Sequence, residues 1–348
     1  MNGRDMRKTK IIAEMAWAHD GSIDKAINIM KAAKQAGADA IGIHITDMDT
    51  YMVHNYGSGK GKVSAGKEDL DIVEYLKRIN PSHDQWELFA DQAKKEKISL
   101  CVMANDFLSL EFCENKLNPQ YYVISAAAFV EYEFVKAIAK TGKPAFLRIG
   151  GATLGEIEKT ISIFRSMSDS DLVLLHGFQN YPTLLEETNI RQLTTLKNLF
   201  GLSVGLADHI DGADKLAKSI PMLAVACGAS WIEKHITFDR SEKGEDFESA
   251  LNPDDFAEFV QNIRDAETAL GCEAWNDLSE ATLSYRQVSR KRTVAAKDLP
   301  AGKKLGEEDF CFKRCDNGVK PDEAEYLLGR TLVSALKHDD PILWENIQ

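Results

Sequence analysis

An eight-fold parallel β/α barrel, a TIM barrel, followed by a small β-rich C-terminal domain is the fold this sequence predicts. Three observations predict it. Eight short apolar runs alternate with segments whose apolar residues recur at helical spacing. The runs are apolar nearly throughout rather than at every second position, as strands buried on both faces require. The chain, at 348 residues, exceeds one average domain but suits a barrel of about 250 residues with a small module attached.

The elements follow in order. KIIAEMAW (10–17) reads as the first strand and IDKAINIMKAAKQ (23–35) as the first helix, which Gly37 ends. Further strand candidates are AIGIHIT (40–46), ISLCVMA (98–104), YYVISA (121–126), PAFLRIG (144–150), DLVLLHG (171–177), SVGLADH (203–209) and WIEKHIT (231–237). The last barrel helix runs from Pro253 to Leu270, with Asn252 as its cap and Pro253 at the first helical position. Eight such pairs indicate a closed barrel; an open doubly wound sheet is the structural alternative. Residues 1–271 form the expected barrel, 272–289 a linker with a helix, and 290–348 a module of short strands. Pro300-Ala-Gly302 and Asp316-Asn-Gly318 are that module's turn signals. The stretch from Tyr51 to Asn80 reads as an unusually long loop. Its Gly- and Lys-rich part, residues 55–67 with Lys60, Lys62 and Lys67, is a candidate anion-binding segment.

Composition excludes several partners. A formal net charge of −12 argues against nucleic acid, whose phosphates demand clustered Lys and Arg. The polar start MNGRDMRKTK carries no secretory pattern, and no apolar run approaches the ~20 residues that span a bilayer. The six cysteines include no C-x-x-C pair and fit reduced thiols. Cys311 and Cys315 are better read as packing residues than as a metal or redox pair. A soluble, cytoplasmic chain without a membrane partner is expected.

Barrel enzymes carry their active groups at the C-terminal ends of the strands. Here those ends offer Glu14 with His19 and Asp20 beyond it, then His44 and Asp47, Asn105 and Asp106, Ser125, and Arg148. The later strands add His176 and Gln179, Asp208 and His209, and Glu233, Lys234 and His235. A lone histidine there is usually a hydrogen-bonded core residue. Two on adjacent strand ends, His209 and His235, can share a divalent ion such as Mn²⁺, Mg²⁺ or Zn²⁺. Glu14 is the natural oxygen ligand or base, and Glu233 strengthens the cluster.

At these residues the chain resembles the N-acetylneuraminate (sialic acid) synthase family. The carriers are EMAWAHDGSIDKAINIMKAAKQAGADAI, LLHGFQNYPTLLEETNIRQLTTLKNLFG, VGLADH, GASWIEKHIT and LNPDDFAEFVQNIRDAETALG. RTVAAKDLPAGKKLGEEDFCFKR, with NGV and LLGR, resembles that family's C-terminal antifreeze-like (SAF, β-clip) domain. The resemblance implies that His209 and His235 hold the metal and that Glu14 is the strand-one glutamate. It implies that Tyr181 and Asp246 lie near the sugar. It also implies a homodimer in which the tail carries Arg314 into the neighbouring subunit's barrel.

The chain departs from the family where phosphoenolpyruvate binds. Gly42 stands where the family has the lysine of KFQ. Val123-Ile-Ser-Ala-Ala127 replaces KIASG, and Arg148-Ile-Gly-Gly151 replaces S-T-G-M. Charge-assisted bonds carry anion recognition, so these losses bear directly on the substrate. Arg148 is expected to take over as the anion contact; pairing with a neighbouring acid is its bland alternative.

Three functions follow. The first is metal-dependent condensation of phosphoenolpyruvate with an N-acyl sugar aldehyde. The second keeps the metal but performs an aldol, epimerisation or isomerisation reaction on a sugar or sugar phosphate, with His44 or Asp47 as base. The third is an inactive carbohydrate-binding relative.

Overall fold

In the computed structural model, which describes residues 8–58, 66–177, 182–271 and 278–348, all eight expected strands form. They are β1 (Lys10–Glu14), β2 (Ala40–Ile45), β3 (Ser99–Ala104), β4 (Tyr121–Ile124), β5 (Ala145–Arg148), β6 (Leu172–His176), β7 (Ser203–Asp208) and β8 (Trp231–His235). They close in sequence order into a parallel barrel in which β1 pairs with both β2 and β8. This is the TIM-barrel architecture, and it rules out the open sheet. In this register Glu14 lies opposite Gly42 on one side and His235 on the other. Each strand falls inside its expected window. The trimmed residues, such as Ser125 and Gly150, belong to the loops at the barrel mouth.

The helices are α1 (Ile23–Ala36), α2 (Met48–Tyr51), α3 (Ile72–Ile79), α4 (His83–Glu96), α5 (Phe107–Phe112) and α6 (Tyr132–Lys140). They continue with α7 (Leu154–Arg165), α8 (Gln192–Phe200), α9 (Ile220–Ala226), α10 (Pro253–Leu270) and α11 (Glu280–Ser289). Their ends obey local rules. Ser22 caps α1 through a bond from Lys25 N at 3.3 Å. Gly37, at φ 96°, ends α1 in the left-handed conformation that glycine adopts without steric cost. Ser82 with Gln85, and Thr153 with Glu156, form capping boxes on α4 and α7. The buried face of α1 (Ala26, Ile29, Met30, Ala33) is the stripe expected from its spacing, and it packs against α4 and α10.

Two local expectations need correction. The segment 51–80 is not one long loop, because α3 lies within it. Asp71 caps that helix, and Ile72, Val73, Tyr75, Leu76 and Ile79 bury against Ala16, Trp17 and Met48. The Gly- and Lys-rich composition upstream masked this amphipathic stripe. Asn252 stands at the N-cap of α10, but its side chain caps nothing. Its Oδ1 accepts instead from Arg240 N at 2.8 Å, which ties down the preceding loop.

The chain divides into two compact units, Met1–Cys272 and Glu273–Gln348. The second includes α11, in the stretch read as a linker, and the antiparallel pair β9 (Lys291–Ala295) and β10 (Phe310–Arg314). Its own small core contains Ala295, Leu299, Leu305, Leu327, Leu332 and Ile342. Gly302, at φ 80°, makes the expected turn, closed by Lys303 N bonding Pro300 O. The buried Asp309 is satisfied by Gly306 N at 2.8 Å and by Lys297 and Lys303. Among the described residues no helix is long and apolar enough to cross a membrane, and all the cysteines are free.

Candidate active site

Strand alternation decides which polar residues enter the barrel. Side chains two apart share a face, so Trp231, Glu233 and His235 of β8 point inward while Lys234 between them does not. Lys234 is fully buried against Asp208 at 2.8 Å and Ile210 O at 3.0 Å, a structural ion pair on the other side of the sheet. The same rule brings Glu14, His44, Arg148 and His209 into one cluster. Mouth and cluster border a cavity of about 220 Å³ lined in part by Trp17, His44, Asn105, Ser125, Arg148, His209, Glu245 and Asp246.

Within this cluster His209, Glu233 and His235 offer ligand atoms that all lie within 4.8 Å of one another. His209 Nδ1 lies 3.1 Å from Ala207 O. A carbonyl only accepts, so Nδ1 carries the proton and Nε2 presents its lone pair. Burial, reinforced by Arg148 and Lys234, lowers the His209 pKa to about 3. Burial and His209 hold His235 well below the usual histidine range. Both rings are therefore neutral near neutral pH, the form that ligates metals. Glu233 Oε1 bonds Arg148 Nη2 at 2.5 Å, while its Oε2 accepts no hydrogen bond among the described residues. Two neutral imidazoles and one carboxylate oxygen fit a divalent ion of borderline hardness. The oxygen donor of this trio is Glu233, where the sequence reading offered Glu14.

Glu14 sits beside the trio, buried and accepting from Ala16 N at 2.7 Å. Burial, and the Glu233 carboxylate next to it, raise its pKa, against the opposing pull of Arg148. Burial also raises Glu233, with Arg148 again opposing. Arg148, only 5% exposed, reaches both: 2.5 Å to Glu233 and 3.4 Å to Glu14. Arg148 thus lines the cavity with its guanidinium already engaged by two carboxyl groups, the pairing with a neighbouring acid that was its alternative reading. His44 Nε2 lies 3.7 Å from Glu14 Oε1, and burial, with Arg148 and His19, lowers its pKa to about 3.

Other candidates lie elsewhere. Asp47 does not line the mouth. Its carboxylate caps α2 through Thr50 N at 3.0 Å, and it borders a separate hollow with His83 and Trp86. It therefore cannot be the base at the mouth. Asp106 caps α5, and His176 Nε2 bonds Thr188 O at 2.9 Å. Gln179, Tyr181, Lys60 and Lys62 lie outside the described residues. Lys67 is described, and it contacts Glu245 and Lys243 O rather than an open pocket. Asp246 does line the mouth, at a positive φ of 63°. Arg314, in the second unit, is exposed and donates through Nε and Nη2 to Val288 O. Sequence reasoning missed Glu245, which accepts from Tyr75 Oη at 2.8 Å on α3. The acidic pair Glu245-Asp246 just beyond β8 was its only signal.

Fold and site together define a barrel enzyme with a metal-type donor cluster at its mouth and a β-rich tail. The sequence matches the NeuB family over residues 29–274 and the SAF domain over residues 293–348. It is 34% identical to the pseudaminic acid synthase of Campylobacter jejuni, covering 97% of this chain and 96% of that one. It is 30% identical to the N,N'-diacetyllegionaminic acid synthase of Legionella pneumophila, covering 97% and 94%. The structure superposes on the N-acetylneuraminic acid synthetase of Leptospira borgpetersenii with a TM-score of 0.69 and 25% identity, covering 82% of this chain and 95% of that one. The chain belongs to the NeuB family and ends in a SAF domain, as its strand-end and tail motifs implied. It is an enzyme of the synthase kind, in a family of carbohydrate biosynthesis.

Proposed function

We propose that this is a cytoplasmic enzyme that performs metal-assisted carbon–carbon bond formation at the carbonyl of an N-acyl sugar. The observation that carries this reading is the convergence of His209, Glu233 and His235 at the barrel mouth. These three residues would hold a divalent ion, which when bound would polarise the sugar carbonyl. Glu14, its pKa raised by burial, retains a proton toward neutral pH and stands ready to deliver it to a developing alkoxide. His44, neutral and 3.7 Å from Glu14, is the matching base. Asn105, Ser125 and Asp246 offer hydrogen bonds to sugar hydroxyls. The resemblance suggests Tyr181, and the strand-six end Gln179, as further sugar contacts; both lie outside the described residues. Arg148 lines the cavity and, through its contacts at 2.5 and 3.4 Å, positions Glu233 and Glu14.

The resemblance points to phosphoenolpyruvate as the carbon donor. A second reading, aldol or isomerase chemistry on a sugar without phosphoenolpyruvate, is favoured by the engagement of Arg148 with two carboxylates. Calorimetry with Mn²⁺, Mg²⁺ and Zn²⁺ tests the shared core of both readings. Wild type should bind at least one ion stoichiometrically, and His209→Ala and His235→Ala should each lose that binding together with product formation. Ion binding retained by both variants would sink the reading.

The homodimer belongs to this proposal too. The exposed Arg314, tied to the end of α11, is suited to reach a neighbouring barrel. Truncation before about residue 288 should weaken the dimer and impair substrate use. A truncated monomer with unchanged kinetics would contradict it.

A further inference from the structure

Asp246 lines the mouth in a backbone conformation that few residues other than glycine adopt. Its φ is 63°, in the left-handed region where a side chain is strained. Bonds to the residues on either side hold it there. On one side Glu245 accepts from Tyr75 Oη at 2.8 Å and lies 3.4 Å from Lys67 Nζ. The same ammonium donates to Lys243 O at 2.9 Å. On the other side Arg240 donates through Nε to Phe247 O at 3.1 Å and through Nη2 to Glu248 O at 3.2 Å. A strained residue persists only where its surroundings over-determine it, and these two sets of bonds bracket Asp246.

The two anchors differ in origin. Arg240 belongs to the same loop beyond β8, whereas Tyr75 lies on α3, 170 positions before its partner. That helix is a firm support. Ile72, Val73, Leu76 and Ile79 pack with Ala16, Trp17 and Met48, and Ile72 and Leu76 also line the cavity. Tyr75 itself is only 5% exposed. Burial, and then the Glu245 carboxylate, keep its phenol protonated and therefore a donor. The loop carries the constraint onward to β7. Ser249 N donates to Asp246 O at 3.2 Å, and Ser249 Oγ donates to His209 O at 2.8 Å.

We propose that Tyr75 is a positioning residue of the substrate site: by holding Glu245 from α3 it fixes Asp246 at the mouth, where the Asp246 carboxylate accepts from a hydroxyl of the bound sugar. Glu245 is the tether in this arrangement and Asp246 the contact. The proposal rests on the mouth being the sugar site, as proposed above, but not on which ion is held or which carbon donor is used. The two fail separately. Histidine variants that keep their ion would sink the earlier reading, whereas this one is decided at Tyr75 and Glu245 with the ion site intact.

The test uses Tyr75→Phe in the full-length protein, which removes one hydroxyl and leaves the ring in its packing. By hydrogen exchange, the Ser249 amide should exchange at least about tenfold faster than in wild type. The Ile236 amide, bonded to Glu14 O at 2.9 Å in the barrel, should not change. Calorimetry with Mn²⁺ present then takes N-acetylhexosamines of gluco, galacto and manno configuration, with their 6-phosphates, as probes. At least one should bind wild type, and Tyr75→Phe should bind it at least about fivefold more weakly, the worth of one hydrogen bond. Mn²⁺ affinity and the unfolding midpoint should stay as in wild type, which damage to the mouth as a whole would not allow. Glu245→Gln keeps an acceptor for the phenol and should lose less than about twofold, whereas Glu245→Ala should lose as much as Tyr75→Phe. The double variant Tyr75→Phe with Glu245→Ala should lose no more than about twofold beyond either alone. An unchanged Ser249 amide, a full loss in Glu245→Gln, additive losses in the double variant, or no probe bound by wild type would each overturn the proposal.

Discussion

The two ends of the barrel are built from the same strands, one inward-facing position apart. At the floor, Trp231, Phe146 and Ile12 fill the interior with Cys101, Val123 and Leu175. Trp231 packs edge-on against Phe146 at 4.7 Å and Tyr121 at 5.2 Å, and Lys10 Nζ lies 4.9 Å from the Trp231 ring. Two residues further along, β8 presents Glu233, β5 Arg148 and β1 Glu14. The apolar floor keeps water from one side of the ionisable layer. This is why burial is the leading cause of the shift at Glu14, His44, His209, Glu233 and His235 alike. The floor is stable because nothing in it needs a partner. The mouth is chemically capable because everything in it does.

The largest expected effect comes from breaking the mouth. Arg148→Met removes the one cation between two buried carboxyl groups and should cost about 3–5 kcal/mol in denaturant unfolding at neutral pH. The sign of its pH dependence follows from linkage. Without Arg148, the folded pKa values of Glu14 and Glu233 rise further above their unfolded values, so the folded state binds more protons. Stability then falls as pH rises from about 5 through those folded values. The cost should therefore shrink toward pH 5. A cost independent of pH would show that Arg148 supports the fold by packing rather than by charge.

A smaller effect is expected at the flank of the mouth. His19 is fully buried, accepts from Gly21 N at 3.0 Å, and packs edge-on against Trp86 at 5.5 Å. Burial lowers its pKa to about 4 from an ordinary 6.5. Its neutral form is favoured in the folded state, so the associated stability is complete above about pH 6.5 and is lost as pH falls toward 4. Between pH 7 and pH 5 wild type should lose about 2 kcal/mol that His19→Gln does not lose. Parallel stability–pH curves for the two proteins would contradict this.

The contrast between the two ends also explains what the sequence disclosed. The floor and the strand order were legible because apolar runs need no knowledge of their partners. Glu14, His209 and His235 were legible as candidates because the strand-end rule applies to each residue alone. An acid partner for Arg148 was legible as an alternative, but its identity as Glu233 and Glu14 was not, since it joins residues 85 and 134 positions apart through the closure of the barrel. Asp47 misled for a related reason: at a strand end that immediately starts a helix, capping and catalysis call for the same residue type. The helix α3 was hidden by the glycines and lysines before it, and with it went the Tyr75–Glu245 contact.

The smallest expected effect is the control at the floor. Phe146→Leu trims an aromatic ring from an apolar layer, where the ring packs against Trp231 and Tyr121 and against no carboxylate or histidine among the described contacts, and should cost about 1–2 kcal/mol. Arg148 lies two residues along the same strand, so a shift of the β5 backbone would register at the mouth as well. The close packing of Phe146 against Trp231 confines the loss to dispersion and a small cavity, neither of which titrates. The cost should therefore be the same at pH 5 and pH 8, and the affinity for Mn²⁺ should be unchanged. A pH-dependent cost, or weakened ion binding, would show that the two ends are mechanically coupled through the strands and that the floor helps to tune the ionisable layer above it.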